Sequence, residues 1–192
     1  NVQLRELFLS EGMILRGTND GETCVHAVER HFDRNGGDML AAIRSAYVDL
    51  EGDYAFVITH RDQHALYAIK KGSGLVAGRG DGFACLSSDL PSILPLTRHI
   101  VRIQDGEIVK LSPDKVELFD VATGAPIARG EETYEGPLEV AEKGGGVLVW
   151  GRGGDSVSLD LAQATDGESI KAGIQVLAPA RGLRCFDLSL LR

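Results

Sequence analysis

The sequence predicts an α+β fold, in which a block of helices precedes a block of mostly antiparallel strands. Three observations carry this reading. Apolar residues recur at helical spacing through the first fifty residues, the period changes at Gly52, and from Tyr54 onward short β-branched and aromatic runs follow one another across Gly or charged turns. Such grouping differs from the regular strand–helix alternation of a parallel sheet.

The elements follow in order. Val2, Leu4, Leu7 and Phe8 mark a first helix that Gly12 should close. In "TNDGETCVHAV", residues 18–28, Asn19 and Glu22 have the spacing of a helix cap, a side-chain oxygen at the start and a glutamate three residues on. Val25, Val28 and Phe32 then share a face, up to "RNGG". Asp38 caps a third helix with an apolar stripe of Met39, Leu40, Ile43, Ala46, Tyr47 and Leu50. These three helices should form one layer.

"DYAFVITH" is apolar at nearly every position from Tyr54 to Ile58, the pattern of a strand covered on both faces. "HALYAIKK", "GLVAGRG" and "FACLSSD" supply further strands, and "HIVRIQDGEIVKL" reads as two alternating runs joined into a hairpin by Gln104-Asp105-Gly106. "KVELFD" is one more strand. Residues 121–145 are rich in Gly, Pro and Glu with weak periodicity, as linkers are. Residues 146–192 have short apolar runs and no long periodic element, and receive no fold from the sequence.

At 192 residues, 43% hydrophobic and 25% charged, the chain has the composition of a globular protein. A net charge of −8, with no compensating Lys/Arg run, disfavours nucleic acid and anionic membrane as partners. Nothing approaches an apolar run of about 18 residues, and the first residues lack a basic stretch followed by an apolar one, so the expected location is the cytoplasm. Three widely separated cysteines, Cys24, Cys85 and Cys185, form no CxxC pair, and no histidine cluster has metal spacing. Reduced thiols follow, with no metal and no cofactor.

The glycine-rich "GSGLVAGRGDG", residues 72–82, could cradle a phosphate, but no helix follows it, so turn chemistry between strands explains the glycines. Arg79-Gly80-Asp81 spells an adhesion tripeptide without a role inside a cell. Cys24 and Cys85 sit among apolar neighbours and read as buried, inert thiols. The five histidines pair with no evident nucleophile. The residues alone give no catalytic constellation.

The order of segments nevertheless resembles a known family. "LRELFLSEGMILRGTNDGETCVHAVERHF", "GGDMLAAIRSAYVDLEGDYAFVI" and "AIKKGSGLVAGRGDGFACLSSDLPSILPLTRHIVRIQDGEIVKL" resemble the class II glutamine amidotransferase domain of glucosamine-6-phosphate synthases, over roughly residues 1–145. "KKGSGL" followed by "SSDLPSILPLTR" is the most discriminating part, and "AEKGG", Ala141 to Gly145, looks like the family's approach to its interdomain linker. The resemblance implies an N-terminal-nucleophile hydrolase fold, a four-layer αββα sandwich, here incomplete. It divides the chain into a partial amidotransferase domain at 1–120, a linker at 121–145 and an unassigned tail at 146–192.

It further implies L-glutamine as the ligand of the intact parent, itself expected to be a homo-oligomer. The family's nucleophile is an N-terminal cysteine whose own amine is the general base, and an Asn-Gly pair supplies its oxyanion donors. Both map upstream of Asn1, so no catalytic residue is assigned in this chain. Losing the strands that carry them should leave a sheet edge and part of the core uncovered. What the resemblance does place is Asp20, on the aspartate of the family's T-D-T-E motif, which holds the α-ammonium group of glutamine; Asn19 and Gly21 stand where the family has threonines. The likeness stops at Gly145, which reads as a truncated or frame-shifted gene product. Two alternatives stay open: the glutaminase part of another class II amidotransferase, phosphoribosylamine- or N-methylglutamate-forming, and a non-catalytic binding protein on the same scaffold.

Overall fold

The helical block forms as the period requires. A computed structural model describes residues 2–17 and 20–136, together with the backbone of four strands at 147–151, 157–160, 176–180 and 183–187; the side chain of Asp20 and those after residue 136 lie outside this description. Helix α1 (Val2–Ser10) ends at Gly12, whose φ is +81°. Met13 N–H bonds the Phe8 carbonyl at 2.9 Å and Gly12 N–H bonds that of Leu9 at 3.1 Å, the paired closure that a left-handed glycine permits. Helix α2 (Asp20–Arg34) closes the same way, Gly37 N–H reaching the Phe32 carbonyl at 3.0 Å with Gly36 and Gly37 both at positive φ. Helix α3 (Met39–Asp49) is capped by Asp38, which accepts from Ala41 N–H at 3.1 Å.

Strand β1 (Tyr54–His60) explains its own composition. Tyr54, Phe56 and Ile58 face Val25, Val28, Met39 and Ile43 in the helical layer, whereas Val57 faces the second sheet. Next come β2 (Leu66–Lys71), β3 (Val76–Gly80), β4 (Phe83–Ser87), the short α4 (Leu90–Ile93), β5 (His99–Arg102), β6 (Glu107–Ser112), β7 (Lys115–Asp120), β8 (Pro126–Ile127) and β9 (Glu132–Thr133). The last four strands are β10 (Val147–Gly151), β11 (Val157–Asp160), β12 (Val176–Ala180) and β13 (Leu183–Asp187).

Two antiparallel sheets result, ordered β12-β13-β1-β2-β6-β7-β8 and β11-β10-β4-β3-β5-β9. Helices α1 to α3 cover the first sheet. Leu66, Ala68, Val109 and Leu111 of the first sheet meet Ala77, Leu86 and Val101 of the second between the two. On the far side of the second sheet, Val76, Cys85 and Ile100 pack with Ile93 of α4, so among the described residues this one short helix stands for the fourth layer. The α+β sandwich is therefore as expected.

One expected element differs. Gln104-Asp105-Gly106 does make a turn, with Glu107 N–H on the Gln104 carbonyl at 3.2 Å and Gly106 at φ +79°, but β5 and β6 do not pair across it. β5 pairs with β3 in the second sheet, and β6 pairs with β2 and β7 in the first. The chain crosses between sheets here because Val101 and Ile103 on one side of the turn and Val109 and Leu111 on the other all bury in the same inter-sheet core. The Arg129 guanidinium clamps the crossing, reaching both Glu107 oxygens at 2.6 and 2.7 Å and the Arg102 carbonyl at 3.0 Å. The two-residue Asp-Gly hairpin lies instead at Asp81-Gly82, where Gly80 faces Phe83 across the β3–β4 pair. This is the turn role expected of that glycine-rich stretch.

The span 121–145, linker-like in composition, is tied down in its first part: β8 pairs with β7, β9 pairs with β5, and Arg98 holds the Tyr134 and Gly136 carbonyls at 2.9 and 3.0 Å. Residues 137–146 lie outside the description. An uncovered sheet edge was expected; instead strands from the tail pair with β1 and β4, β13 on the first and β10 on the second. The remainder of the tail is outside the described residues, as is the stretch where a frame shift was expected to begin.

Candidate functional site

The candidate site is built on the start of α2. This helix presents a wide buried face, Thr23, Cys24, Val25, Ala27 and Val28, to the first sheet. It is joined to the turn after α1 by the Arg30–Glu11 ion pair at 2.6 Å and to α3 by His31 Nε2 on Asp49 Oδ2 at 2.6 Å. His26 and Glu29, one turn apart and both buried, pair at 3.1 Å beneath the Phe8 ring. Rigid packing on three sides fixes the axis of α2, and therefore the position of its first turn.

Glu22 shapes that turn. It is 3% exposed, and its two carboxylate oxygens accept separate backbone N–H groups, Arg16 at 2.6 Å and Gly17 at 2.9 Å. A helix-capping glutamate reaches the N-cap N–H; this one reaches two to three residues further back, while the expected partner Asn19 lies outside the described residues. Arg5, from α1, donates to the Gly17 carbonyl and holds a second guanidinium nitrogen 3.8 Å from Glu22. Burial of a carboxylate is tolerated because both oxygens are bonded and a cation stands beside it. Asp20 opens the helix two positions earlier.

No family model matches the chain. Known proteins do. The glutamine–fructose-6-phosphate aminotransferase (isomerizing) of a Thermus thermophilus strain is 36% identical over 144 residues, which is 75% of this chain and 23% of that relative. The enzyme of the same name from Aquifex aeolicus is 36% identical over 145 residues, 75% of this chain and 24% of its own length. That of Pyrococcus horikoshii is 34% identical over 144 residues, 74% of this chain and 24% of its own length. The chain matches the glutamine amidotransferase domain of enzymes named glutamine–fructose-6-phosphate aminotransferase. It spans about a quarter of the length of these relatives, within their glutamine amidotransferase domain.

The most discriminating stretch of the sequence proves to be an architectural corner. In "KKGSGL", Lys70 Nζ donates to the Ser73 carbonyl at 3.0 Å and pairs with Asp105 at 2.8 Å, while Gly72 N–H bonds the other Asp105 oxygen at 3.0 Å. A side chain at Gly74 would stand 2.2 Å from the Ser88 carbonyl, so the glycine lets this corner lie against "SSD". Asp89 then caps α4, taking Ser92 N–H at 2.9 Å and the Ser92 hydroxyl at 2.7 Å.

The described cysteines fit the inert reading. Cys85 is fully buried and burial pushes its thiol up to about 12, far from a thiolate at neutral pH. Cys24 is 4% exposed. Tyr54, stacked on Phe56 with ring centroids 5.3 Å apart, has a buried hydroxyl with no hydrogen-bond partner among the described residues, and burial raises its phenol far above the ordinary value. Among the described residues no three His, Cys, Asp or Glu side chains group as a metal site, and no helix is long and apolar enough to cross a membrane. Sequence reasoning took Glu22 for a cap and passed over Arg5. Their joint grip on Gly17 joins positions twelve and five residues apart, for which local spacing gives no signal.

Proposed function

We propose that this chain supplies the α-amino-binding side of a glutamine site in an amidotransferase domain. L-glutamine is the ligand and Asp20 is the carboxylate that takes its ammonium group. In the longer parent, a homo-oligomer of the cytoplasm, the nitrogen released from glutamine goes to fructose 6-phosphate. The observation that supports this best is the 36% identity over 144 residues to aminotransferases of that name, with Asp20 standing at the start of a helix whose first turn is fixed by buried contacts.

An ammonium group that loses its water in a closed site needs a carboxylate; deleting one leaves the charge unpaired at a cost of about 2–5 kcal/mol. A carboxylate that merely starts a helix contributes about 0.3–1 kcal/mol through the dipole. These ranges separate the two roles. The test is calorimetric titration of L-glutamine into the full-length gene product, alongside urea unfolding, for the native protein and Asp20→Ala. At least a tenfold rise in Kd with nearly unchanged unfolding is expected. Equal affinity would reduce Asp20 to a helix start, and a native protein that binds no glutamine would favour the non-catalytic scaffold.

A further inference from the structure

We infer that Glu22 is a positioning residue for the amino acid ligand, holding the approach to α2 so that Asp20 meets the α-ammonium group. This rests on the glutamine reading of Asp20 and adds to it a second residue, of a different role. The peptide at Gly17 is gripped from both sides: its N–H by Glu22 at 2.9 Å and its carbonyl by the Arg5 guanidinium. Arg16 N–H occupies the remaining Glu22 oxygen at 2.6 Å. Only two residues separate Gly17 from Asp20, and only one separates Asp20 from Glu22. Gly17, before Asp20 in the chain, is therefore tied through the Glu22 carboxylate to the first turn of α2, which Asp20 opens.

Two converging N–H donors explain why the residue is a glutamate. A carboxylate offers an acceptor to each, whereas a carboxamide offers one oxygen and would turn its own N–H groups against the second donor. Aspartate is one methylene shorter and cannot reach Arg16 and Gly17 from the same helical position. Nothing in a purely stabilising role requires that the fastened segment lead straight into the ligand-bearing residue; this one does, with Gly17 at one end and the first turn of α2 at the other.

The inference is separable from general stability because Asp20 is proposed to see only one group of the ligand. L-glutamine and glutaramate, the same skeleton without the α-ammonium, are titrated into the full-length gene product carrying Glu22→Gln, Asp20→Ala or both, with urea unfolding in parallel. Glu22→Gln is expected to weaken L-glutamine binding tenfold or more and glutaramate binding less than twofold, and the double variant should bind L-glutamine no more weakly than Asp20→Ala. Arg5→Met, which releases the Gly17 carbonyl from the more exposed side, should give a selective loss of three- to fivefold and carries the test if Glu22→Gln does not fold. Equal weakening of both ligands, or of neither, in Glu22→Gln or in Arg5→Met overturns the positioning role while a selective Asp20→Ala leaves the glutamine reading standing. An Asp20→Ala protein without selective loss overturns both.

Discussion

Two corners of this molecule are held by a carboxylate that accepts backbone N–H groups, and they differ in how completely water is excluded. At the start of α2, Glu22 has 4% of its side chain exposed and both oxygens on backbone donors. At the turn between β5 and β6, Asp105 has 51% of its side chain exposed and divides its oxygens between Lys70 and Gly72. In the first arrangement the carboxylate itself is nearly closed to water, so a lost partner is replaced less readily on the glutamate side than on that of its part-buried donors. The second can be rehydrated. The more discriminating motif in the sequence belongs to the tolerant corner, and the proposed glutamine site belongs to the strict one.

The largest expected effect follows from that contrast. Glu22→Ala removes the shared acceptor of two part-buried N–H groups and leaves Arg5 beside no carboxylate, which should cost about 1–3 kcal/mol, since water can partly replace the lost acceptor. Urea denaturation reads it as a lower midpoint with an unchanged slope. A loss under about 0.5 kcal/mol would mean that water replaces the lost acceptor fully and that the contrast is false.

Asp105→Asn should cost far less, about 0.2–1 kcal/mol, because an exposed pair is screened by solvent. Its pH dependence has a definite sign. The hydrogen bond from Lys70, then that from Gly72 N–H, holds the Asp105 carboxyl below its ordinary value of 3.8. A carboxyl depressed on folding stabilises above its unfolded pKa and loses that contribution as pH falls through the folded value. The gap between native and Asp105→Asn unfolding curves should be steady from about pH 5 to 7 and close below about pH 4. A gap that widens on acidification would contradict the assignment.

The helices, their glycine closures and the two-faced burial of β1 are legible in the sequence because each rests on contacts within a few residues. Two of the Asp-Gly pairs, Asp81-Gly82 and Asp105-Gly106, show where legibility stops. Asp81-Gly82 joins partners in one sheet; Asp105-Gly106 carries the chain from one sheet to the other. Alternation of apolar residues is the same in both, since it reports that one face is buried and not which sheet the next strand enters. The proposed site is legible only in part. Asp20 follows from a motif match, but the work of Glu22 depends on where α1 brings Arg5 and how residues 16 and 17 approach α2, which are tertiary facts.

The central claim is that the approach to α2, and not the corner of the sheets, meets the ligand. The direct measurement is a titration of the isotope-labelled full-length gene product with L-glutamine, following backbone amide shifts of Arg16, Gly17 and Gly21 against those of Lys71, Gly72 and Gly106. Saturable shifts at the first three, with the second three unmoved, are the predicted result. Shifts confined to the second three, or none at either corner at glutamine concentrations of tens of millimolar, which would register binding as weak as about 2–3 kcal/mol, would contradict it.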